Sequence, residues 1–378
     1  MQILHISDTH LGCIPFNIKE REEDVYEAFN EAVETAIKDR VDAVIHSGDI
    51  LHTPKPSGTA INKLGEAVKR LNEHGIRFFF TLGEHDISRV RDTPSPYLFH
   101  RLGMATYIGD GRPYMHEDTL LIGFHKYRRS ECNELVERLK AISPPHDVKK
   151  KVLVLHQGLG EFHPYAYELS MSDLPSGFNY YAMGHLHDHA MKSYGDGIIC
   201  YPGSIDPTPN EGIREFSKGF CMVDLSGDEA KVDFIQIRSS RRHMHYTIEY
   251  ERLDEFIRMV RASIAGLTKK PVIGIRIKGR DGVDRTRIAG ILSKISDLCL
   301  HYSWEVDLVK GNGSLSLYES RPDIDKVLLE SAAGALEDYD TARFAVDELL
   351  PLLNVNDVDG VIDLVWRRFE DDVKRHSR

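Results

Sequence analysis

Short apolar segments alternate with amphipathic segments through the first half of the chain, and this alternation constrains the fold more than any other feature. The stretch "MQILHIS" reads as a strand, and "EEDVYEAFNEAVETAIKD" places Val25, Phe29 and Val33 on one face of a helix. Ser57 can cap a second helix. Further apolar strands follow in "VDAVIHSGD", "IRFFFTLG", "TLLIGF", "KKVLVLH" and "YYAMGH". This order predicts an α/β fold built from layers of sheet and helix.

The length and a change of pattern predict three parts. The 378 residues are enough for two or three domains. The basic stretch "RSSRRH" interrupts the pattern, and strand, helix, strand, helix and strand follow it. From about Asp323 the chain reads as helices to its end. We therefore predict a first domain at 1–238, a smaller α/β domain at 241–320 and a C-terminal helical segment at 323–378.

Composition narrows the cellular setting. No run approaches the ~18 apolar residues of a membrane helix, and the N-terminus lacks the pattern of a secretory signal. The five cysteines are scattered and form no CxxC pair, which is typical of a reducing compartment and argues against disulfides or a zinc knuckle. We expect a cytoplasmic protein with no membrane partner. The formal charge of −11 argues weakly against a non-specific nucleic-acid binder, although a cleft has its own local field.

Ionisable residues follow five of the predicted strands. They lie in "SDTH" (Asp8, His10), "SGDILH" (Asp49, His52), "GEHD" (Glu84, His85, Asp86), "VLHQG" (His156) and "MGHLHDH" (His185, His187, His189). Side chains alternate along an extended segment. The two outer residues of a D-x-H motif therefore point to the same side, and so do those of an H-x-H motif. Taken singly, each residue has a structural explanation, because a lone histidine at a strand end more often makes a hydrogen bond than binds a metal.

Taken together, these residues predict a metal centre. Burying several carboxylates and imidazoles without compensation is costly, and a metal ion is the usual compensation. Oxygen and imidazole ligands without cysteine favour manganese, iron or zinc over copper. Two carboxylates with four or five histidines exceed one tetrahedral site. They suit two ions that share a bridging carboxylate, an arrangement used for in-line attack on phosphate esters.

The order of these motifs resembles a known family. D-x-H, GD, G-(N)-H-D, a lone histidine and G-H-x-H follow one another as in the calcineurin-like metallophosphoesterases. Within that superfamily, "HISDTHLG", "SGDILHTPKPS", "AMGHLHDH" and "YPGSID" resemble the double-strand-break repair nucleases named meiotic recombination eleven (bacterial counterpart SbcD), in their short archaeal form. The specific resemblance covers about residues 1–225, and beyond them only the layout is similar. It implies an α/β metallophosphoesterase sandwich of β-sheets flanked by helices, with a smaller α/β capping domain and C-terminal helices.

The resemblance also implies a role for each site residue. The implied ligands of two divalent ions, manganese first among the candidates, are Asp8, His10 and His187 for the first ion, Asp49 as the bridge, and Glu84, His156 and His185 for the second. His85 would face the scissile phosphate as a catalytic residue that stabilises charge or protonates the leaving oxygen. His52 would help to place the substrate. For Asp188 and His189, a role behind the ligands and a solvated loop both stay open, and Asp86 has no assigned role.

Position 84 departs from the family that the chain resembles. The family carries asparagine there, whose neutral amide offers both an acceptor and a donor, whereas this chain has Glu84. An ionised glutamate adds a negative charge beside Asp8 and Asp49. We therefore expect it to tighten the second ion, lower that ion's Lewis acidity and repel a phosphodiester. The alternative is that Glu84 turns away and is not a ligand, although oxygen sites for hard cations readily accept a carboxylate.

The resemblance implies a function and a set of partners. The function is that of a manganese-dependent DNA exonuclease and endonuclease, which hydrolyses phosphodiester bonds at DNA ends in double-strand-break repair by two-metal activation of water. Two alternatives stay open: a DNA-end-binding scaffold subunit whose nuclease activity is weak because of Glu84, and a small-nucleotide phosphodiesterase. The implied partners are DNA, as double-stranded ends or single strands, a second copy of the chain, and the coiled-coil ABC-type repair ATPase Rad fifty, which the C-terminal helices would bind.

Basic and apolar segments are candidates for these contacts. The basic segments are "HKYRRS" (Lys126, Arg128, Arg129), "RSSRR" (Arg238, Arg241, Arg242) and "RIKGRDGVDRTR". Such segments can contact the phosphates of a duplex, although alone they are more often solvated faces. The candidate dimer faces are the helix around Ile61–Leu71 and the stretch "YLFHRLGM" with Tyr97, Leu98, Phe99 and Leu102.

Overall fold

The computed structural model divides the chain into two compact units, Met1–Gly311 and Asn312–Arg378. It describes residues 1–88, 93–145, 147–163, 167–279, 283–308 and 339–350, together with 360–362, 364–366 and 368. Among these residues, no helix has both the length and the apolar character needed to cross a membrane.

Strands and helices alternate along the described part of the chain. The strands are β1 (Gln2–Ile6), β2 (Ala43–Ser47), β3 (Arg77–Thr81), β4 (Thr106–Tyr107), β5 (Tyr114–His116), β6 (Thr119–Phe124), β7 (Lys150–His156), β8 (Tyr180–Gly184), β9 (Ala190–Tyr194), β10 (Gly197–Tyr201), β11 (Gly219–Asp224), β12 (Lys231–Gln236), β13 (His243–Glu249), β14 (Val272–Gly279) and β15 (His301–Leu308). The helices are α1 (Lys19–Asp39), α2 (Gly58–Glu73), α3 (Tyr97–Arg101), α4 (Cys132–Lys140), α5 (Leu253–Ile264), α6 (Arg285–Leu292) and α7 (Tyr339–Phe344).

Two six-stranded sheets pack face to face as a sandwich. One sheet has the order β12-β11-β1-β2-β3-β4 and the other the order β5-β6-β7-β8-β10-β9. In each sheet the central strands are parallel, and strands of this kind are apolar on both faces because both faces are covered. Ile45 and Phe79 of one sheet share a buried cluster with Val154 and Ala182 of the other. The predicted layered α/β fold is thus confirmed.

Helices cover the outer faces of the sandwich. In α1, Val25 and Phe29 belong to the same buried cluster as Leu64 and Val68 of α2 and the outward-facing residues of the first sheet. The Ser57 side chain accepts a hydrogen bond from the Ala60 N–H (3.2 Å), so the predicted cap of α2 is confirmed. Helix α4 covers the second sheet in a cluster of its own.

A third sheet follows in the order β13-β14-β15, and all three strands are parallel. Helices α5 and α6 connect these strands, as parallel strands require, and bury a separate apolar core. The predicted run of strand, helix, strand, helix and strand therefore forms, although the domain boundaries at 238 and 241 stay a prediction. The predicted C-terminal segment 323–378 lies largely outside the described residues. Within it the structure describes α7, which continues in the π-helical turn Ala345–Leu349.

Candidate metal centre

The predicted ligands follow the carboxyl ends of five parallel strands. Strands β1, β2 and β3 are neighbours in one sheet, and β7 and β8 are neighbours in the other. The carboxyl ends of parallel neighbours lie at one edge, where α/β sheets bind their ligands. The loops after β1 and β2 are also joined by main-chain hydrogen bonds. The Asp8 N–H donates to the main-chain oxygen of Gly48 (3.0 Å), and the His10 N–H donates to the main-chain oxygen of Asp49 (3.1 Å).

The first group of ligand atoms belongs to Asp8, His10 and His187, and these atoms lie within 4.8 Å of one another. His10 Nε2 is 3.3 Å from His187 Nε2, and His187 Nε2 is 3.8 Å from Asp8 Oδ1. A neutral imidazole nitrogen is the commonest protein ligand for transition metals. The structure thus brings together the three predicted ligands of the first ion.

The second group belongs to Glu84, His156 and His185, whose ligand atoms also lie within 4.8 Å of one another. Glu84 Oε2 is 3.0 Å from His156 Nε2, and Glu84 Oε1 is 3.0 Å from His185 Nδ1. His156 Nδ1 donates to the Ser47 main-chain oxygen (2.7 Å). This hydrogen bond fixes the ring and leaves Nε2 for a metal. The Glu84 side chain therefore points at the two histidines.

Asp49 lies between the two groups. Its Oδ2 atom is 3.4 Å from His156 Nε2 in the second group and 3.8 Å from His10 Nε2 in the first. Its Oδ1 atom accepts a hydrogen bond from the His85 main-chain N–H (2.8 Å), which fixes the carboxylate plane. A carboxylate that is to bridge two ions must reach both ligand groups, and Asp49 does so.

The backbone at these loops adopts conformations that L-residues rarely occupy. The φ angles are 50° at Asp8, 44° at His10, 52° at Asp49 and 93° at His185. Positive φ at residues other than glycine is costly and is concentrated at functional sites. Gly83 makes room for this arrangement, since a Cβ atom there would stand 2.1 Å from Asp49 Oδ1.

The chemistry of this donor set fits metal ions. Burial raises the pKa of Asp8, with His156 and His187 opposing only in part. Burial also lowers the pKa of His10 well below its ordinary value. Among the described residues, the buried atom His10 Nδ1 has no hydrogen-bond partner, and the buried atoms His156 Nε2 and Glu84 Oε2 have no polar partner closer than each other, at 3.0 Å. Divalent cations would pair with the carboxylates and accept the lone pairs of neutral imidazoles.

His85 and His52 lie beside the first group. His85 Nδ1 donates to the main-chain oxygen of His52 (2.8 Å), and the two rings stack at 5.5 Å. The His85 ring also stands edge-on to His10 at 4.7 Å. The hydrogen bond at Nδ1 sets the tautomer and leaves Nε2 of His85 for a substrate.

Comparisons with known proteins place the chain in a family. Residues 1–189 match the sequence model of the calcineurin-like phosphoesterases. The chain is 32% identical to DNA double-strand break repair protein Mre11 of Sulfolobus acidocaldarius, over 80% of this chain and 81% of that protein. The chain belongs to the Mre11 family. It is also 28% identical to Mre11 of Saccharolobus solfataricus and 29% identical to that of Aeropyrum pernix, over 97% and 92% of this chain and 98% and 93% of those proteins.

Membership of the Mre11 family, within the calcineurin-like phosphoesterases, makes this chain a metal-dependent phosphoesterase. Asp86, to which the sequence assigned no role, supports the Mre11-family site from behind. Its buried carboxylate accepts hydrogen bonds from the main-chain N–H groups of Ile50 (3.2 Å), Leu51 (2.9 Å) and Gly83 (3.0 Å). Asp86 therefore ties the loop after β2, which carries Asp49, to the loop after β3, which carries Glu84.

Two lysine–glutamate pairs in this Mre11-family chain were not recognised from the sequence. The first pair stands behind His187. Lys218 Nζ lies 2.6 Å from Glu211 Oε1, and that oxygen is 3.5 Å from His187 Nδ1. Lys218 Nζ also donates to the His187 main-chain oxygen (2.7 Å). No motif in the sequence indicated either residue, because both lie in the long loop after β10.

The second pair stands behind His185 and corrects one prediction. Lys126, a predicted DNA contact, is instead a buried residue whose Nζ atom lies 2.7 Å from Glu168 Oε1 and 3.3 Å from His185 Nδ1. The available signal was its position directly after β6, since the predicted ligands also follow strands. Glu168 carried no such signal.

The two residues left open behind the ligands have structural contacts. His189 Nδ1 donates to the Tyr201 main-chain oxygen (2.9 Å), and its ring stacks on Phe234 at 4.3 Å. The exposed carboxylate of Asp188 pairs with the Arg214 guanidinium (2.8 Å). These contacts hold the loop after β8 rather than a substrate.

Proposed function

We propose that this chain is a manganese-dependent DNA exonuclease and endonuclease, which hydrolyses phosphodiester bonds at DNA ends in double-strand-break repair. The observation that carries this proposal is the pair of ligand groups joined by Asp49. Such a pair suits two ions acting on a phosphate ester. Oxygen and imidazole ligands without thiolate suit Mn²⁺, and the names of the relatives support the repair role.

The side chains of the site would divide the work. The ligand set for the two ions is Asp8, His10 and His187, then Asp49 as the bridge, then Glu84, His156 and His185. When bound, the ions supply an activated water and neutralise charge on the phosphate. His85 is the catalytic residue, whose Nε2 atom stabilises charge on the phosphate or protonates the leaving oxygen. His52 would help to place the substrate, and its main-chain oxygen orients the His85 ring.

Basic side chains beside a cavity support DNA as the substrate. A cavity of about 780 Å³ lies between the loop after β10 and the linker to β13, and its lining includes Phe216, Arg238 and Arg242. Arginine and aromatic side chains together can hold the phosphates and bases of a strand. Arg241, the third arginine of this segment, is instead paired with Asp24 (2.6 Å) and is bound within the chain.

We further propose the partners and the compartment that follow from the family. The C-terminal segment 323–378 would bind the coiled-coil ABC-type repair ATPase Rad fifty, although most of that segment lies outside the described residues. A second copy of the chain would complete a homodimer. All five cysteines are buried and free, which supports work in the reducing cytoplasm.

The substitution His85→Ala tests the nuclease proposal. We expect cutting of duplex ends with Mn²⁺ to fall by about 10²–10⁴-fold, the usual size of a lost general acid. Metal content and DNA affinity should stay at the parent level, because His85 does not belong to the first or the second ligand group. The control is His74→Ala, at the exposed end of α2, which should cut like the parent. Undiminished cutting by His85→Ala would overturn the assignment of this residue.

The same assays separate the two alternatives. A DNA-end-binding scaffold would bind duplex ends but leave them uncut with Mn²⁺ present. A small-nucleotide phosphodiesterase would turn over bis-p-nitrophenyl phosphate or cyclic nucleotides and ignore duplex DNA. Either result with the parent protein would replace the nuclease proposal.

A further inference from the structure

Glu84 has a cation of its own within the protein. Lys126 Nζ lies 3.9 Å from Glu84 Oε2, and it lies 3.3 Å and 3.4 Å from the two ring nitrogens of His185. The Lys126 side chain is only 9% exposed, whereas that of Glu84 is 35% exposed. The ammonium group therefore stands on the protein side of the second ligand group, largely shielded from solvent.

The fold, rather than the reach of a flexible side chain, places Lys126 there. Its main-chain N–H donates to the Leu82 oxygen (2.8 Å). This hydrogen bond joins the loop after β6 to the loop after β3, which carries Glu84. Glu168 then holds the ammonium from the other side (2.7 Å), and the Gly158 N–H holds the second oxygen of Glu168 (2.7 Å).

The two lysine–glutamate pairs of the site differ in whether the ammonium reaches the ligand side chains. In both pairs the carboxylate lies near a ligand histidine, at 3.5 Å for Glu211 and His187 and at 3.7 Å for Glu168 and His185. At the first group, the carboxylate of Glu211 faces the ligand His187, and Lys218 binds main chain. At the second group, the ammonium of Lys126 faces the ligands. The ligand group that Lys126 faces is the one that contains the carboxylate of Glu84.

We propose that Lys126 is a positioning residue that offsets the negative charge of Glu84 in the second ligand group. Two carboxylates, Glu84 and Glu168, lie beside this ammonium, and its charge cancels one of their two negative charges. The carboxylate attracts the second ion and the ammonium repels it, so the affinity for that ion reflects both. The inference rests on the proposed two-ion function.

This role is tested by calorimetric measurement of Mn²⁺ binding to the full chain without DNA. The test is whether Lys126→Met and Glu168→Gln change the affinity for the second ion in opposite directions. Lys126→Met should tighten the second ion about tenfold, the size given by Coulomb's law for a divalent ion and a unit charge roughly 6 Å apart in a water-like medium. Glu168→Gln leaves the ammonium without its partner and should weaken the second ion several-fold. A merely structural pair would weaken the second ion in both variants, and that result would overturn the proposal.

Two further measurements keep the test decisive. Lys218→Met removes the matching lysine at the first group and should leave the second ion's affinity within about twofold of the parent, since it lies beside the other ion. In thermal unfolding of the metal-free protein, Lys126→Met should lower Tm, and adding Glu84→Gln should restore part of the loss. Strictly additive effects of the two substitutions would overturn the coupling. A parent that binds a single Mn²⁺ would overturn the two-ion function instead, while the metal-free cycle still decides on Lys126.

Discussion

Replacing Glu84 by asparagine removes a negative charge from the second ligand group, while the Lys126 ammonium stays 3.3 Å from His185 with Glu168 as its remaining carboxylate. We therefore expect Glu84→Asn to need about tenfold more Mn²⁺ for half-maximal cutting. The double variant Glu84→Asn/Lys126→Met should return to the requirement of the parent. A manganese titration of nuclease activity on duplex ends measures both. Higher activity of Glu84→Asn at every Mn²⁺ concentration would contradict this and favour the view that Glu84 alone limits the enzyme.

Asp86 is a single buried residue on which two catalytic loops depend. The Asp86 carboxylate accepts hydrogen bonds from the main-chain N–H groups of Ile50, Leu51 and Gly83. Asp86→Ala leaves these three donors without their acceptor. We expect a loss of about 3 kcal/mol in the free energy of unfolding, because each unpaired buried donor costs about 1–3 kcal/mol and the loops relax in part. Denaturant unfolding measures the loss. Asp188→Ala, at an exposed carboxylate, is the control and should change stability by less than about 0.5 kcal/mol.

His243 should make the fold sensitive to acid. Burial, reinforced by the charge of Arg21, lowers the pKa of His243 to about 3, and neither ring nitrogen has a hydrogen-bond partner among the described residues. The unfolded chain binds a proton below a pKa of about 6.5 while the folded chain does not. Stability is therefore complete above that pH and is lost as the pH falls toward 3.

The loss at His243 should reach about 2 kcal/mol at pH 5. His243→Phe removes the titrating group, so it should lose less stability than the parent between pH 7.5 and pH 5. Urea unfolding at the two pH values measures the difference. His245→Phe, at an exposed position of the same strand, is the control. Equal losses in His243→Phe and the parent would show that His243 does not contribute.

At the scale of secondary structure, helix α1 joins the sandwich to the third sheet through one acid. Asp24 accepts from Arg21 (2.7 Å), from Arg241 of the linker (2.6 Å) and from Lys269 (2.9 Å) before β14. The Asp24 side chain is only 2% exposed. Removing one partner of such a network leaves buried charges unpaired. This helix is therefore more than a cover for the first sheet.

Asp24→Asn should destabilise the chain by about 3–5 kcal/mol, the usual cost of breaking a buried ion pair from one side. Amide hydrogen exchange should accelerate in the linker 237–242 more than in the central strands. The control is Glu73→Gln, which breaks the exposed pair between Lys69 and Glu73 (3.7 Å) and should cost less than about 1 kcal/mol. Unchanged exchange in the linker would show that Asp24 does not hold this part of the chain.

The strands could be predicted from the sequence because their apolar runs are continuous, and the site could be located because the order of parallel strands brings their ends together. For this reason the ligand atoms of Asp8 in the first group, Asp49 and His156 in the second group lie within 4.8 Å of one another. Glu168 and Glu211 could not be predicted, since they lie in long loops without periodicity, and only the packing of those loops brings them to the site. Of their partners, Lys126 was predicted as a DNA contact because it lies in a basic segment, and no motif indicated Lys218.

At the scale of the whole molecule, only one of the two apolar stretches predicted as dimer faces is available to a partner. Leu64, Val68 and Leu71 of α2 are buried in the core of their own chain. At α3, by contrast, the side chain of Leu98 is 47% exposed and that of Leu102 is 61% exposed. Neighbouring exposed leucines are typical of an interaction surface. We therefore assign the proposed dimer face to α3 and the residue that follows it.

Replacing both leucines, as Leu98→Glu with Leu102→Glu, should convert the proposed dimer to a monomer. Each buried leucine contributes about 1.5–3 kcal/mol, so losing two should raise the dimer Kd by more than about a hundredfold. Light scattering coupled to size-exclusion chromatography measures the mass, and Met259→Glu, a 47% exposed residue of α5, is the control. The monomer should still hydrolyse bis-p-nitrophenyl phosphate, because its ligand groups are intact. If the proposed dimer holds a duplex with both copies, the monomer should cut duplex ends less well. An unchanged mass would move the proposed dimer face away from α3.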